Sequence, residues 1–305
     1  MTAPGRGPAA RSVKADTPRF RFRPPRFGLG GAPIGELWGP DADPQAVAAV
    51  DAAYGAGIRF FDTAPHYGAG RSEQRLGMAL AKYSRAQYLL STKVGRTGEY
   101  QVDFSQAGIR RSLAASLERL ALESVDLVFI DDSGEHWQQA IEETYPVLHE
   151  LREQGVIGAV GVAMDDWQSL DRFVRDTEVD VVLVAGQYSL LDQSGVPLLD
   201  RCQARGVAAI AAGVLTGQIL QTDETQEATD EVGIRARRIA AICEQYGVSL
   251  PQAALAFPGR HPAVTSVLIG AASAAEIRAH AALVRKPVPD DLWRDAELQK
   301  LADVR

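Results

Sequence analysis

Between residues 26 and 284 the sequence alternates eight times between a short apolar run and a longer stretch of helical period. The apolar runs are RFGLG (26–30), IRFFDTA (58–64), YLLSTKV (88–94), VDLVFI (125–130), VIGAVGVA (156–163), VDVVLV (179–184), GVAAIAA (206–212) and TSVLIG (265–270). Each is short and nearly continuous in hydrophobicity, as a strand buried on both faces must be. The stretches between them, 43–57, 72–83, 106–122, 135–155, 165–177, 196–206, 231–257 and 273–284, are amphipathic. The first is read as starting on a capping Asp43, the second as opening on Ser72 and two early polar residues, and 231–257 as two helices around Gly247–Pro251. Eight such repeats predict an α/β chain folded as a single-domain (β/α)8 TIM barrel over residues 25–305. A doubly wound sheet would need a G-x-G-x-x-G turn opening a helix after the first strand. FGLGGAPIG (27–35) lacks both, and its glycines read as a tight strand exit.

Residues 1–24, rich in Pro, Gly, Arg and Ala, read as a flexible tail. TGQILQTDETQEATDE (216–231) follows the seventh strand and is long enough to cover a ligand. With 39 acidic against 32 basic side chains the net charge is −7, which argues against nucleic-acid or anionic-membrane partners. No apolar run approaches the roughly 18 residues a bilayer span needs. The N-terminus shows no apolar signal core. Two cysteines, Cys202 and Cys243, make neither a disulfide framework nor a Cys-rich zinc site. These features point to the reducing cytoplasm and a small-molecule substrate, and leave the oligomeric state open.

Three residues at early strand ends carry chemistry. Asp62 ends FFD, Tyr67 follows in DTAPHYG, and Lys93 ends LLSTK. A barrel brings such positions to one mouth. An ammonium beside a phenol favours phenolate and lowers the tyrosine pKa, and an aspartate holds the lysine in place. The result is a group that gives or takes a proton. Taken singly, a strand-end Asp is a cap and a Lys a solvated charge.

FFDTAPHYG, SEQRLGMAL and STKVGR resemble the aldo-keto reductases, as do VDLVFID, YPVLHELREQGVIGAVGV, GQYSLLDQ, AAGVLTG and SVLIGAASAAEIRAH. The resemblance covers roughly residues 26–284 and is closest to bacterial D-threo-aldose (L-fucose) and pyridoxal dehydrogenase-type members. It implies a barrel that binds a nicotinamide cofactor without a Rossmann domain, and a catalytic tetrad of Asp62, Tyr67 as general acid/base, Lys93 and a histidine. Where that histidine is expected the chain reads Phe129-Ile130-Asp131-Asp132, so Asp131 takes its place. An ionised Asp131 cannot donate a hydrogen bond to a substrate oxygen; a protonated one can.

The resemblance also implies cofactor positions. Asp165 takes the place of an asparagine holding the carboxamide, Gln187 supplies a second amide, and Tyr188 is expected to stack on the nicotinamide. Leu215 and Gly217 lie in a loop passing the pyrophosphate. Gly270, Ser273, Glu276 and His280 belong to the adenosine-phosphate site, with Glu276 where Arg is common and His280 where Asn is common. A carboxylate at 276 opposes a 2′-phosphate, which favours NAD over NADP; it also suits the first turn of a helix. His66, His136 and Trp137 are candidate substrate residues, with His136 folding back over the mouth; Trp137 and Trp167 equally suit packing on their own helices. His149 reads as packing. Asp131, Asp132, Glu135, Asp165 and Asp166 show no complete metal-ligand spacing. The reading is thus an oxidoreductase using NAD or NADP on a sugar, polyol or small aldehyde or alcohol. The missing histidine keeps a non-redox lyase or isomerase, or a non-catalytic family member, open as alternatives.

Overall fold

In the computed structural model, which describes residues 21–98, 101–215 and 230–302, eight parallel strands close into a barrel in chain order. They are β1 (Phe27–Gly30), β2 (Phe60–Asp62), β3 (Leu89–Val94), β4 (Val125–Asp131), β5 (Ile157–Met164), β6 (Val181–Ala185), β7 (Ala208–Ala212) and β8 (Val264–Gly270). Their ends lie within two residues of those expected from the apolar runs. Pairing of Phe27 with Val267 and of Gly30 with Gly270 joins β1 to β8 and removes both sheet edges.

Both faces of each strand are buried, and they bury different things. Phe60, Leu127, Phe129, Val181, Leu183, Ile210 and Leu268 belong to an inner cluster that fills the barrel. Their neighbours Phe61, Leu90, Val128, Ile130, Val160 and Val162 belong to the larger core under the helices. This period-two division is why the runs read as continuously apolar. A Cβ at Gly28 would lie 2.5 Å from the Phe60 ring and 2.7 Å from Leu268. That glycine, expected at a strand exit, is therefore an interior position that yields its volume to a ring. Phe22 packs against the inner cluster and Arg21 donates to the Glu178 carbonyl, so the end of the expected tail is packed onto the barrel.

The same alternation aims polar residues. On β3, Leu89, Ser91 and Lys93 share the inner face; on β4, Leu127, Phe129 and Asp131 do. At the carboxyl ends of β2, β3 and β4 the inward register falls on Asp62, Lys93 and Asp131. Three adjacent strands thus deliver three ionisable groups to one mouth.

Two helix expectations need correction. The first helix is Ala42–Gly55, and Asp43 lies in its first turn without capping it; its carboxylate accepts from Arg75 Nε at 2.8 Å. The long helix expected over 135–155 is broken into Gly134–His136, Trp137–Gln139, a π-turn Ala140–Thr144 and Tyr145–Glu153. Pro146 has no N–H to bond back and its ring crowds the preceding turn, so the ladder widens there. In the polar opening of helix Arg71–Leu80, Ser72 and Glu73 are buried. Buried Ser72 donates to the Gly31 carbonyl, and buried Glu73 accepts from Thr92 Oγ1 and Arg119 Nε, each at 2.6 Å. A short helical turn, Ala32–Gly35, follows β1, and helices Asp290–Arg294 and Ala296–Ala302 extend the chain beyond the last repeat.

Tyr67 leaves the loop after β2 where two backbones touch. Gly68 has φ +59°, and a Cβ there would sit 2.1 Å from the Gly35 carbonyl oxygen. Only glycine meets both demands, so the Tyr-Gly pair has a steric origin. Gly68→Ala is expected to lower stability by about 1–3 kcal/mol, measured as a lower denaturant midpoint with an unchanged slope.

Candidate active site

The strand ends surround a cavity of about 320 Å³ with two unlike walls. One wall is polar: Asp62, His66, Tyr67, Lys93, Arg96 and Asp131. The other, from the ends of β6, β7 and β8, is built from Leu183, Ala185, Ala212, Gly213, Leu268 and Gly270. Asp132, Met164 and Asp165 line the rim near β4 and β5.

Lys93 is the electrostatic centre of the polar wall. It is 2 % exposed and donates to Asp62 Oδ2 at 2.6 Å and to the Thr63 carbonyl at 3.0 Å. Ser91 donates to the other Asp62 oxygen at 2.6 Å. Burial alone pulls the ammonium pKa down, but Asp62, Tyr67 and Asp131 raise it well above the usual lysine range. It stays charged. Its Nζ lies 4.8 Å from the centre of the Tyr67 ring.

Burial pushes the Tyr67 phenol above its ordinary pKa; Lys93 opposes this by charge and hydrogen bond, while Asp62 and Asp131 add to it. The sequence led us to expect a net lowering. Here desolvation and two carboxylates outweigh one ammonium, so the phenol holds its proton at neutral pH. Burial also lifts the Asp131 carboxyl to about 7; Asp62 and Asp132 push the same way, and Lys93 and Arg96 resist. His66 is pulled down to about 4 by burial, then by Arg96 and Lys93, and is neutral in neutral solution.

The other expected residues fall partly inside and partly outside this cavity. Asp165 lines the cavity, its pKa raised by burial and by Asp132. Gln187 is not among the lining residues; its side-chain oxygen accepts from the Trp167 N–H at 2.6 Å. Tyr188 is 5 % exposed and packs on Phe257 at 5.3 Å and His261 at 6.0 Å, so the expected stacking ring is turned away from the cavity. Gly186, at φ +75°, bends the chain just before it. Leu215 is buried and does not line the cavity. Gly217 and residues 216–229 of the expected covering loop lie outside the described residues.

Ser273 caps helix Ala274–Leu283 by accepting from Glu276 N at 3.2 Å, and Glu276 accepts from Ala272 N at 3.2 Å. This is a reciprocal cap. His280 is buried on that helix, its pKa lowered by burial. His136 is exposed and stacks on Phe104 at 5.5 Å, so it does not cover the mouth. Trp137 packs on Phe173 and under the Arg172 guanidinium, away from the cavity lining. Among the described residues no group of three His, Cys, Asp or Glu could hold a metal ion, and no helix is long and apolar enough to cross a membrane.

Sequence reading missed Arg96. It stands inside STKVGR, after Gly95 turns the chain at φ +98°, and lies 3.8 Å from Asp132. Its neighbourhood to Lys93 was visible; its inward turn depends on a glycine conformation no periodicity reports.

The profile of the Aldo/keto reductase family matches residues 26–297. The chain belongs to that family. It is 34% identical over 304 residues to a D-threo-aldose 1-dehydrogenase from a Pseudomonas species, covering 89% of this chain and 92% of that one. It is 35% identical over 314 residues to a pyridoxal 4-dehydrogenase from Microbacterium luteolum, covering 88% and 91%. Among solved structures, an aldo-keto reductase from Bacillus halodurans in its holo form superposes with a TM-score of 0.77 at 23% identity, over 94% and 97% of the two chains. Family membership makes the protein an NAD(P)-dependent oxidoreductase. The cavity fits a nicotinamide ring: Ala185, Ala212, Gly213 and Gly270 carry nothing beyond Cβ, so a flat ring can lie on that wall and face the polar one.

Removing Lys93 would leave Asp62 buried beside Asp131 without a cation. Lys93→Met is expected to cost about 3–5 kcal/mol of stability, read as a fall in the unfolding midpoint; an unchanged midpoint would show that the pair does not hold this end of the barrel.

Proposed function

We propose that the protein interconverts a hydroxyl and a carbonyl on a sugar, polyol or small alcohol, with NAD preferred over NADP. The observation that carries this is the convergence of Asp62, Tyr67, Lys93 and Asp131 on one wall, opposite an apolar wall on which Ala185, Ala212, Gly213 and Gly270 leave room for a flat ring. The substrate class is supported by relatives named for an aldose and for pyridoxal. A bound nicotinamide carries the hydride. The chain's own residues handle the proton. Tyr67 takes the hydroxyl proton in oxidation and returns it to the oxygen in reduction. Lys93, held by Asp62, stabilises the phenolate that forms. Asp131 protonates near neutrality, and in that form it does not repel a developing alkoxide.

Tyr67→Phe keeps the ring and removes the proton carrier, so turnover is expected to fall on the order of 10²–10⁴-fold with cofactor affinity little changed. The assay follows reduced nicotinamide formed from NAD+ with aldoses, polyols and pyridoxal. Near-native turnover in the variant would remove Tyr67 from the mechanism. Because its phenol pKa is raised, the phenolate needed for oxidation grows with pH, so kcat/KM for oxidation should climb from acid towards neutral pH.

The preference for NAD rests on the junction between β8 and the helix that follows it. Helix Ala274–Leu283 carries Glu276 in its first turn, and its only arginine, Arg278, lies two residues on. At about 100° per residue the two diverge by about 200°, so Arg278 does not share the face of Glu276; His280, one turn on, does, and burial lowers its pKa so that it is neutral there. Glu276→Arg is expected to tighten NADP about tenfold or more, the worth of one hydrogen bond to a charged group. Titrating both cofactors by fluorescence quenching measures it; native preference for NADP would overturn the assignment.

A further inference from the structure

The place where a histidine is expected holds Asp131, and a histidine stands against it. His66 Nδ1 and Asp131 Oδ2 are 3.3 Å apart. Both atoms are buried, and neither has a hydrogen-bond partner elsewhere. The two side chains are 16% and 10% exposed. Their present angle is off a hydrogen bond, and the broad χ2 well of histidine lets the ring turn to close it. The His66 ring also packs edge-on against Tyr67, 4.6 Å between centres, and both line the cavity. A buried donor or acceptor left unmade is costly, and here two such atoms face each other.

We propose that His66 and Asp131 act as one proton-holding couple that supplies the substrate oxygen with the hydrogen bond a single histidine would give, His66 touching substrate and Asp131 positioning it. The inference rests on the oxidoreductase reading above. With its proton, the couple is either a carboxyl donating to Nδ1 or a carboxylate accepting from an imidazolium. Both leave Nε2 carrying hydrogen, a donor. Without that proton, Nδ1–H donates to the carboxylate and Nε2 becomes an acceptor. The donor form serves both reaction directions, because the substrate oxygen can accept from Nε2–H while it exchanges its own proton with Tyr67. The charged and titratable groups around the couple are Lys93, Asp62, Tyr67, Arg96 and Asp132. The raised Asp131 pKa near 7 and the lowered His66 value fit one proton shared between them at neutral pH.

The test uses the full chain with NAD+ and whichever aldose or pyridoxal it oxidises. His66→Phe is expected to lower kcat/KM on the order of 10²–10³-fold, as loss of an oxyanion donor does. Asp131→Asn keeps the shape and donates to Nδ1 at every pH, so its kcat/KM should fall less than that of His66→Phe. The double variant should be no worse than His66→Phe alone. In the native enzyme the rise of kcat/KM with pH should bend to a plateau near 7 as the donor is lost; in Asp131→Asn the rise should continue. Nitrogen NMR of the native protein adds a readout independent of turnover: both ring nitrogens of His66 should titrate near 7. Additive losses in the double variant, an unchanged bend in Asp131→Asn, or a His66 ring that titrates only near 4 would each overturn the couple. If Tyr67→Phe retains activity, the proton path through Tyr67 fails instead; if no reduced nicotinamide forms from these substrates, the substrate reading fails; both failures are distinct from that of the couple.

Discussion

A lysine ammonium buried to 2 % exposure inside a barrel is tolerable only if its charge is answered at once, and Asp62 answers it at 2.6 Å. The site follows from that pair. Ser91 and the Thr63 carbonyl complete the hydrogen bonds of both ions, so neither is free to move. A fixed cation then sets its neighbours: it restrains the rise of the Tyr67 and Asp131 pKa values and pushes His66 towards neutrality. A buried ion pair is weak evidence for stability, because desolvation consumes much of its attraction. Here it is better understood as the cost of holding a preorganised field at the mouth.

The architecture was legible because it depends on periodicity. Short continuous apolar runs for the strands and the 3.6-residue period between them placed all eight strands within two residues. Asp62 and Lys93 were legible because strand ends in a barrel converge, and Tyr67 because it follows β2 closely; Asp131 was singled out only through the family resemblance. What failed depends on single backbone angles. Gly186 turns Tyr188 into the packing against Phe257, and Gly95 turns Arg96 into the cavity. Pro146 splits a helix whose apolar pattern runs straight through it. Side-chain partners were also hidden. Glu73, Arg75 and Ser72 read only as a polar helix start, yet their bonds reach residues such as Arg119, Asp43 and Gly31, remote in sequence.

An aspartate at a place where the family resemblance implies a histidine changes the balance of the whole wall. A neutral imidazole beside Lys93 and Asp62 adds no charge, whereas a carboxylate adds a second anion at a distance where like charges repel. Two features of the chain relieve that. Arg96 enters the lining and its positive charge opposes the rise of the Asp131 pKa, and burial favours the protonated carboxyl. The wall therefore keeps near-neutral pH as its turning point instead of an always ionised aspartate.

That balance also explains why His66 matters more than its sequence position suggests. Alone, an imidazole held down to about 4 is a permanent neutral group, with no reason for one ring nitrogen rather than the other to carry hydrogen. A carboxyl 3.3 Å from Nδ1 supplies the reason, since it makes the tautomer of the ring depend on its own proton. Lys93 in turn governs that proton through space. The chemistry thus rests on a chain of dependence running from the Asp62–Lys93 pair, through Asp131, to the ring that faces the cavity beside Tyr67.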